Sequence, residues 1–62
     1  MREKVPVIVI EIGSARQESF ARVEADGNQA LLVGPEYEVG YLPSVGEIIY
    51  INPDSTIPPL NT

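Results

Sequence analysis

The sequence predicts an all-β fold, a small five-stranded barrel of the SH3-like or OB-like kind, and three observations carry that prediction. Short apolar stretches rich in Val, Ile and Tyr recur along the chain, Gly and Pro separate them, and none combines the length and the 3.6-residue apolar stripe of a stable helix. The competing arrangement is an α+β fold with a helix over residues 15–26.

Residues 5–12 (VPVIVIEI) read as the first strand, dense in β-branched side chains. Ile8, Ile10 and Ile12 share one face, and Val5, Val7, Val9 and Glu11 share the other. A sheet covered on one side would leave Val7 and Val9 in water, so the strand is either buried on both faces or offers a hydrophobic contact surface. Pro6 cannot donate to a ladder and belongs at an edge, a strand start or a bulge. Gly13 and Ser14 break the strand, and 13–18 read as a polar loop.

Residues 19–33 (SFARVEADGNQALLV) decide between the two folds. As a hairpin, Ala21, Val23 and Ala25 alternate with Phe20, Arg22 and Glu24, Asp26 and Gly27 make a two-residue reversal, and 29–33 return as a second strand. As a helix, Ser14 would be the N-cap with Gln17 three residues on, Glu18 and Arg22 would pair at i, i+4, and Gly27 would sit at the C-terminus. The helical stripe holds only Phe20 and Val23 as large apolar residues, so the hairpin is preferred.

Gly34 and Pro35 end that strand. In 36–41 Tyr37, Val39 and Tyr41 alternate with Glu36, Glu38 and Gly40, the pattern of a half-buried strand with an acidic side facing water. A turn at 43–46 leads to the last strand, 47–51, with Ile49 and Ile51 on one face and Ile48 and Tyr50 on the other. Asn52, Pro53, Asp54 and Ser55 have the composition of a type I turn. Residues 57–62 cannot continue a sheet, because Pro58 and Pro59 lack donors. The expected organisation is one domain over 1–57 and a proline-containing tail over 58–62.

At 62 residues only one small core is possible, and a chain of this size buries about 60% of the surface its unfolded form exposes. Cores below roughly 70 to 80 residues rarely supply more than about 3 to 5 kcal/mol without a disulfide, a metal or a partner. With no Cys and no His, disulfides are impossible and zinc, haem and iron–sulfur sites lack their usual ligands, so no metal or cofactor is expected. Nine acidic against four basic residues, a net charge of −5, disfavour nucleic acid and anionic membranes. The longest apolar run, 5–10, falls far short of the roughly 20 residues of a membrane span and short of the roughly 7 to 15 of a signal-peptide core. A cytoplasmic or virion location follows as the expectation.

Enzyme chemistry is poorly provided for, and none is expected. Nucleophilic triads need His or Cys, and the one lysine, Lys4, lies in the N-terminal lead-in. Glu36 and Glu38 would point the same way from a strand, as a solvated face. The carboxylates lack calcium-loop spacing, and the five glycines stand singly at breaks rather than forming a phosphate cradle. Tyr37 and Tyr41 could stack bases, but without basic neighbours they read as core or rim. Arg16 and Arg22, flanking Phe20, could receive an oxyanion or an acidic partner group, against the simpler reading of local pairing with Glu18 or Glu24.

Three segments, IEIGS (10–14), ARVEADGNQALLV (21–33) and SVGEIIYINPDSTIPPL (44–60), resemble the TOBE domain, an OB-like barrel appended to the ATPase subunits of ABC transporters. The resemblance implies a barrel and, as one functional alternative, a small-ligand module taking an oxyanion; no family contact maps onto a residue.

The leading expectation is a non-enzymatic interaction or structural module, an accessory subunit of a larger assembly such as a virion decoration protein, with a protein partner or self-association. Its contact residues are expected to be Val7, Val9, Phe20, Ile57 and Leu60, so that Val9→Glu would weaken assembly more than folding. A minor alternative is an acidic inhibitor or DNA mimic.

Overall fold

A computed structural model describes residues 3–60. Met1 and Arg2 at the start of the expected domain, and Asn61 and Thr62 at the end of the expected tail, lie outside the described residues. The elements are β1 (Val5–Ala15), β2 (Glu18–Ala25), β3 (Asn28–Val33), a short helix α1 (Pro35–Val39), β4 (Ile48–Ile51), a 3-10 turn (Pro53–Ser55) and β5 (Thr56–Ile57). The strands form one antiparallel, curled half-barrel sheet in the order β4–β1–β2–β3–β5. Three hairpin-connected strands with a fourth returning beside the first make a Greek key. The predicted all-β, barrel-like fold is therefore the one adopted, and no helix forms over 15–26.

Both hairpins close on two residues with positive φ, Arg16 (55°) and Gln17 (66°), then Asp26 (53°) and Gly27 (81°). That is the I′ reversal, whose twist matches the flanking strands. The Asp26–Gly27 turn is where the sequence placed it. The polar loop expected at 13–18 is not: β1 runs on to Ala15 and pairs through Ser14↔Ser19 and Ala15↔Glu18.

The β1–β2 register passes from Val9↔Val23 to Glu11↔Arg22, so Ile10 is an extra residue, a bulge that bends the strand and sharpens the curl. The concave face holds the core: Val7 and Val9 of β1, Ala21 and Val23 of β2, Ala30 and Leu32 of β3, and Ile49 and Ile51 of β4, with Leu60 and Val39 packed against it. Curling crowds the inner face, where β1, β2 and β3 carry mostly Val and Ala, while the bulkier Ile8 and Phe20 stand on the outer face.

The strand expected over 36–41 is instead α1 and the chain leaving it. Gly34, with φ 63°, begins the helix in a left-handed conformation, and a Cβ there would come 2.6 Å from the Tyr37 ring. Pro35 occupies the first turn, where its missing N–H costs nothing, and the Gly40 N–H closes the end on the Glu36 carbonyl at 2.9 Å. Of the alternating trio only Val39 reaches the core, and Tyr37 is 82% exposed.

Asn52 to Ser55 turn as expected: the Asn52 side-chain oxygen accepts from the Asp54 N–H at 3.0 Å, and the Ser55 N–H donates to the Asn52 carbonyl at 2.9 Å. Ile57, expected beyond the sheet, pairs with Leu31 as Thr56 does with Leu32, and the strand ends only there, before Pro58 and Pro59, which have no N–H to donate. Thr56 is buried, with its hydroxyl donating to the carbonyls of Pro53 at 3.2 Å and Pro58 at 2.9 Å.

Candidate functional site

The convex face of the sheet is where exposed apolar side chains gather. Registers Pro6↔Tyr50 and Ile8↔Ile48 set four of them in a two-by-two block across β1 and β4, all exposed. Opposite side chains on one sheet face stand about 4.5 to 5.5 Å apart, so the block is contiguous. Leu42 and Val45, on the connection that runs into Ile48, are exposed as well. On the same face the Glu11–Arg22 ion pair, at 3.0 Å, divides this block from a second apolar group around Phe20, Val33 and Ile57. Phe20 lies over Gly13, where a Cβ would come 2.5 Å from the ring.

The connection from β3 to β4 is fastened by three carboxylates. Glu36 on α1 accepts from the Ser19 hydroxyl of β2 at 2.6 Å, and Glu38 accepts from the Asn52 N–H at 2.7 Å and the Ser55 hydroxyl at 3.4 Å. Glu47 accepts from the Tyr41 hydroxyl and from the Ser44 N–H at 3.0 Å. The Ser19 hydroxyl holds the Glu36 carboxyl below the usual carboxylate range, and Tyr41 does the same for Glu47, while that bond pushes the Tyr41 phenol up. Glu36 and Glu38 thus act on different neighbours, not from one solvated strand face. Their chemistry is that of fasteners, each already committed to donors of the fold.

The expected contact residues divide. Val7 and Val9 are 2% and 0% exposed and belong to the core, so they are closed to any partner. The strand curls with Val7 and Val9 inward and Ile8 outside, and the bulge at Ile10 shifts the alternation so that Glu11 stands outside while Ile12 joins the core side. Phe20 is half-buried, Ile57 is exposed at the β5 edge, and Leu60 packs against the core while its N–H donates to the Pro53 carbonyl at 3.0 Å. Arg16 and Arg22 are not brought together: Arg16 is at the hairpin tip, and Arg22 lies beyond Glu18 by about 13 Å of strand. Arg22 Nε donates to Glu11, a partner that neither local reading named. Pro6, Ile8, Ile48 and Tyr50 were missed as contact residues, although β4 shows in the sequence the same doubly apolar alternation that marked β1.

Two shallow hollows of about 350 and 330 Å³ meet at Leu60, walled by the Asp26–Asn28 turn and by prolines 6, 53, 58 and 59, and the described residues that line them assemble no acid–base pair. Among the described residues no group of three carboxylates could hold a metal ion, and no helix is long and apolar enough to cross a membrane. No family model matches the chain, and neither a curated protein nor a solved structure matches it with significance, so the likeness to TOBE domains rests on the residues quoted above alone.

Proposed function

We propose that this chain is a non-enzymatic protein-binding module that serves as an accessory subunit of a larger assembly, in the cytoplasm or a virion. The observation that carries this reading is the block of Pro6, Ile8, Ile48 and Tyr50 on the outer face, exposed apolar surface that the described residues leave uncovered. Exposed aromatic and branched side chains on a rigid sheet lose little conformational freedom on binding, which suits them as anchors.

A photo-crosslinking amino acid placed at Tyr50 or Ile8, with the chain expressed in its own source, tests the reading. Discrete crosslinked protein is expected from both positions and not from Gln29, an exposed site on β3. No product, or the same products from Gln29, would overturn it.

A further inference from the structure

We propose that β4 is a dimerisation edge, at which a second copy of this chain pairs β4 against β4, antiparallel about Ile49. This deepens the protein-binding reading and rests on it.

The two edges of the sheet are unlike. β5 is two residues long and runs into Pro58 and Pro59, which cannot donate. β4, at the other edge, reads Ile-Ile-Tyr-Ile with no charge, proline or glycine to blunt it. Its backbone phase is fixed by the Val9 N–H, which donates to the Glu47 carbonyl at 2.9 Å. Residues 47, 49 and 51 therefore face β1, while 48 and 50 direct their N–H and carbonyl groups away from it. Asn52 shares the outward phase, and there the Glu38 carboxylate takes the N–H, marking where the open edge ends.

An edge whose outward groups belong to 48 and 50 complements itself. Turned about a two-fold axis at Ile49, Ile48 of one protomer meets Tyr50 of its partner, and Tyr50 meets Ile48, so both pairs exchange N–H and carbonyl groups. Outer-face rows then run Ile8, Ile48, Tyr50, Pro6 across the junction, doubling the apolar block. The paired segment holds no charge, and this register offsets the two Glu47 carboxylates by about 13 Å along the strand, beyond the Debye length at physiological salt. An interface of standard size takes about 800 Å² per partner, close to a fifth of the 4181 Å² accessible surface. A four-residue edge offers less, so the dimer is weak, with a dissociation constant between about 1 μM and 1 mM.

The chain has no cysteine, which makes the register directly testable. Residues opposed in a hydrogen-bonded pair stand about 5.5 Å apart at Cα, within disulfide range, whereas 48 to 48 and 50 to 50 are about 8 Å apart, outside it. An oxidised equimolar mixture of Ile48→Cys and Tyr50→Cys chains is expected to form disulfide dimer about tenfold faster than either alone. Equal rates, or a faster single variant, overturn the register. Sedimentation of the full chain up to about 1 mM should show twice the monomer mass emerging, and Ile48→Glu should abolish it. A chain that stays monomeric, or an Ile48→Glu variant that still dimerises, overturns the proposal. Tyr50 crosslinks to a different protein alongside a monomeric chain would sink the dimer and leave the protein-binding reading standing.

Discussion

β4 carries two residues closed to water and two open to it in strict alternation: Ile49 and Ile51 are 2% and 0% exposed, while Ile48 and Tyr50 are 62% and 60% exposed. Nothing in their apolarity separates the two sets. What separates them is the direction of the curl, since the concave side is covered by the strands across from it and by Leu60 and Val39, whereas none of the described residues crosses the convex side of this block. Hydrophobicity thus has two fates within four residues, one holding the fold together and the other left for contact.

The sharpest way to break that comparison is one substitution made on both faces. Val9→Glu places an unpaired carboxylate in the core, an effect in the exceptional range above about 4 kcal/mol, as large as the roughly 3 to 5 kcal/mol that a core of this size supplies. The chain is expected to be unfolded by circular dichroism at neutral pH. Ile48→Glu should change stability by about 0.5 kcal/mol and leave the spectrum native. The expectation that Val9→Glu would weaken assembly more than folding is reversed by the burial of Val9. A folded Val9→Glu protein, or an unfolded Ile48→Glu one, would show the face assignment to be wrong.

The same contrast explains which parts of the molecule were legible in the sequence. The Asp26–Gly27 hairpin, the β4 alternation and the Asn52 turn were readable because each depends on local chemistry. The face of β1 was not, since Val5, Val7 and Val9 compete with Ile8, Ile10 and Ile12 on equal terms and a bulge at Ile10 breaks the alternation, so that Ile12 joins Val7 and Val9 on the core side. α1 was missed because five residues are too few for periods of 2 and 3.6 to diverge; Gly34–Pro35 before it and Gly40 after it were the available signals. Of the candidate contact residues, Ile57 kept its exposure, while Val7, Val9 and Leu60 turned inward.

The carboxylates that hold the β3–β4 connection over the sheet give a smaller, pH-dependent effect. Glu36 and Glu47 are both held below their ordinary value of 4.5 by hydroxyl and backbone donors, so their contribution is present above about that pH and lost as pH falls through the folded values. Tyr41 works in the opposite sense: raised above 10.0, it contributes below that pH and loses its contribution as the phenol ionises. Melting temperatures should therefore fall from about pH 5 to pH 3, and fall less steeply in Ser19→Ala and Glu47→Gln. Identical acid slopes in wild type and both variants would mean that the connection is held instead by Val39, packed on the core, and by the buried Pro43.

The smallest expected effect is a gain, and it separates stability from the contact face altogether. Both hairpin turns hold two residues at positive φ, yet one uses Asp–Gly and the other Arg–Gln. Left-handed backbone costs an ordinary L-residue about 1 to 2 kcal/mol, a cost that Gly escapes and that Asn partly relieves through local hydrogen bonding. Arg16→Asn combined with Gln17→Gly should stabilise the chain by about 1 kcal/mol, part of the relief being offset by the greater freedom of Gly in the unfolded chain. For a domain this small that is a rise of roughly 4 to 8 °C in melting temperature. The turn lies at the far end of β1 from the Ile8↔Ile48 pair, so dimer dissociation should not move. A rise in melting temperature with an unchanged dissociation constant is the result expected if fold and contact surface are distinct; a shift in both would tie the hairpin tip to the partner.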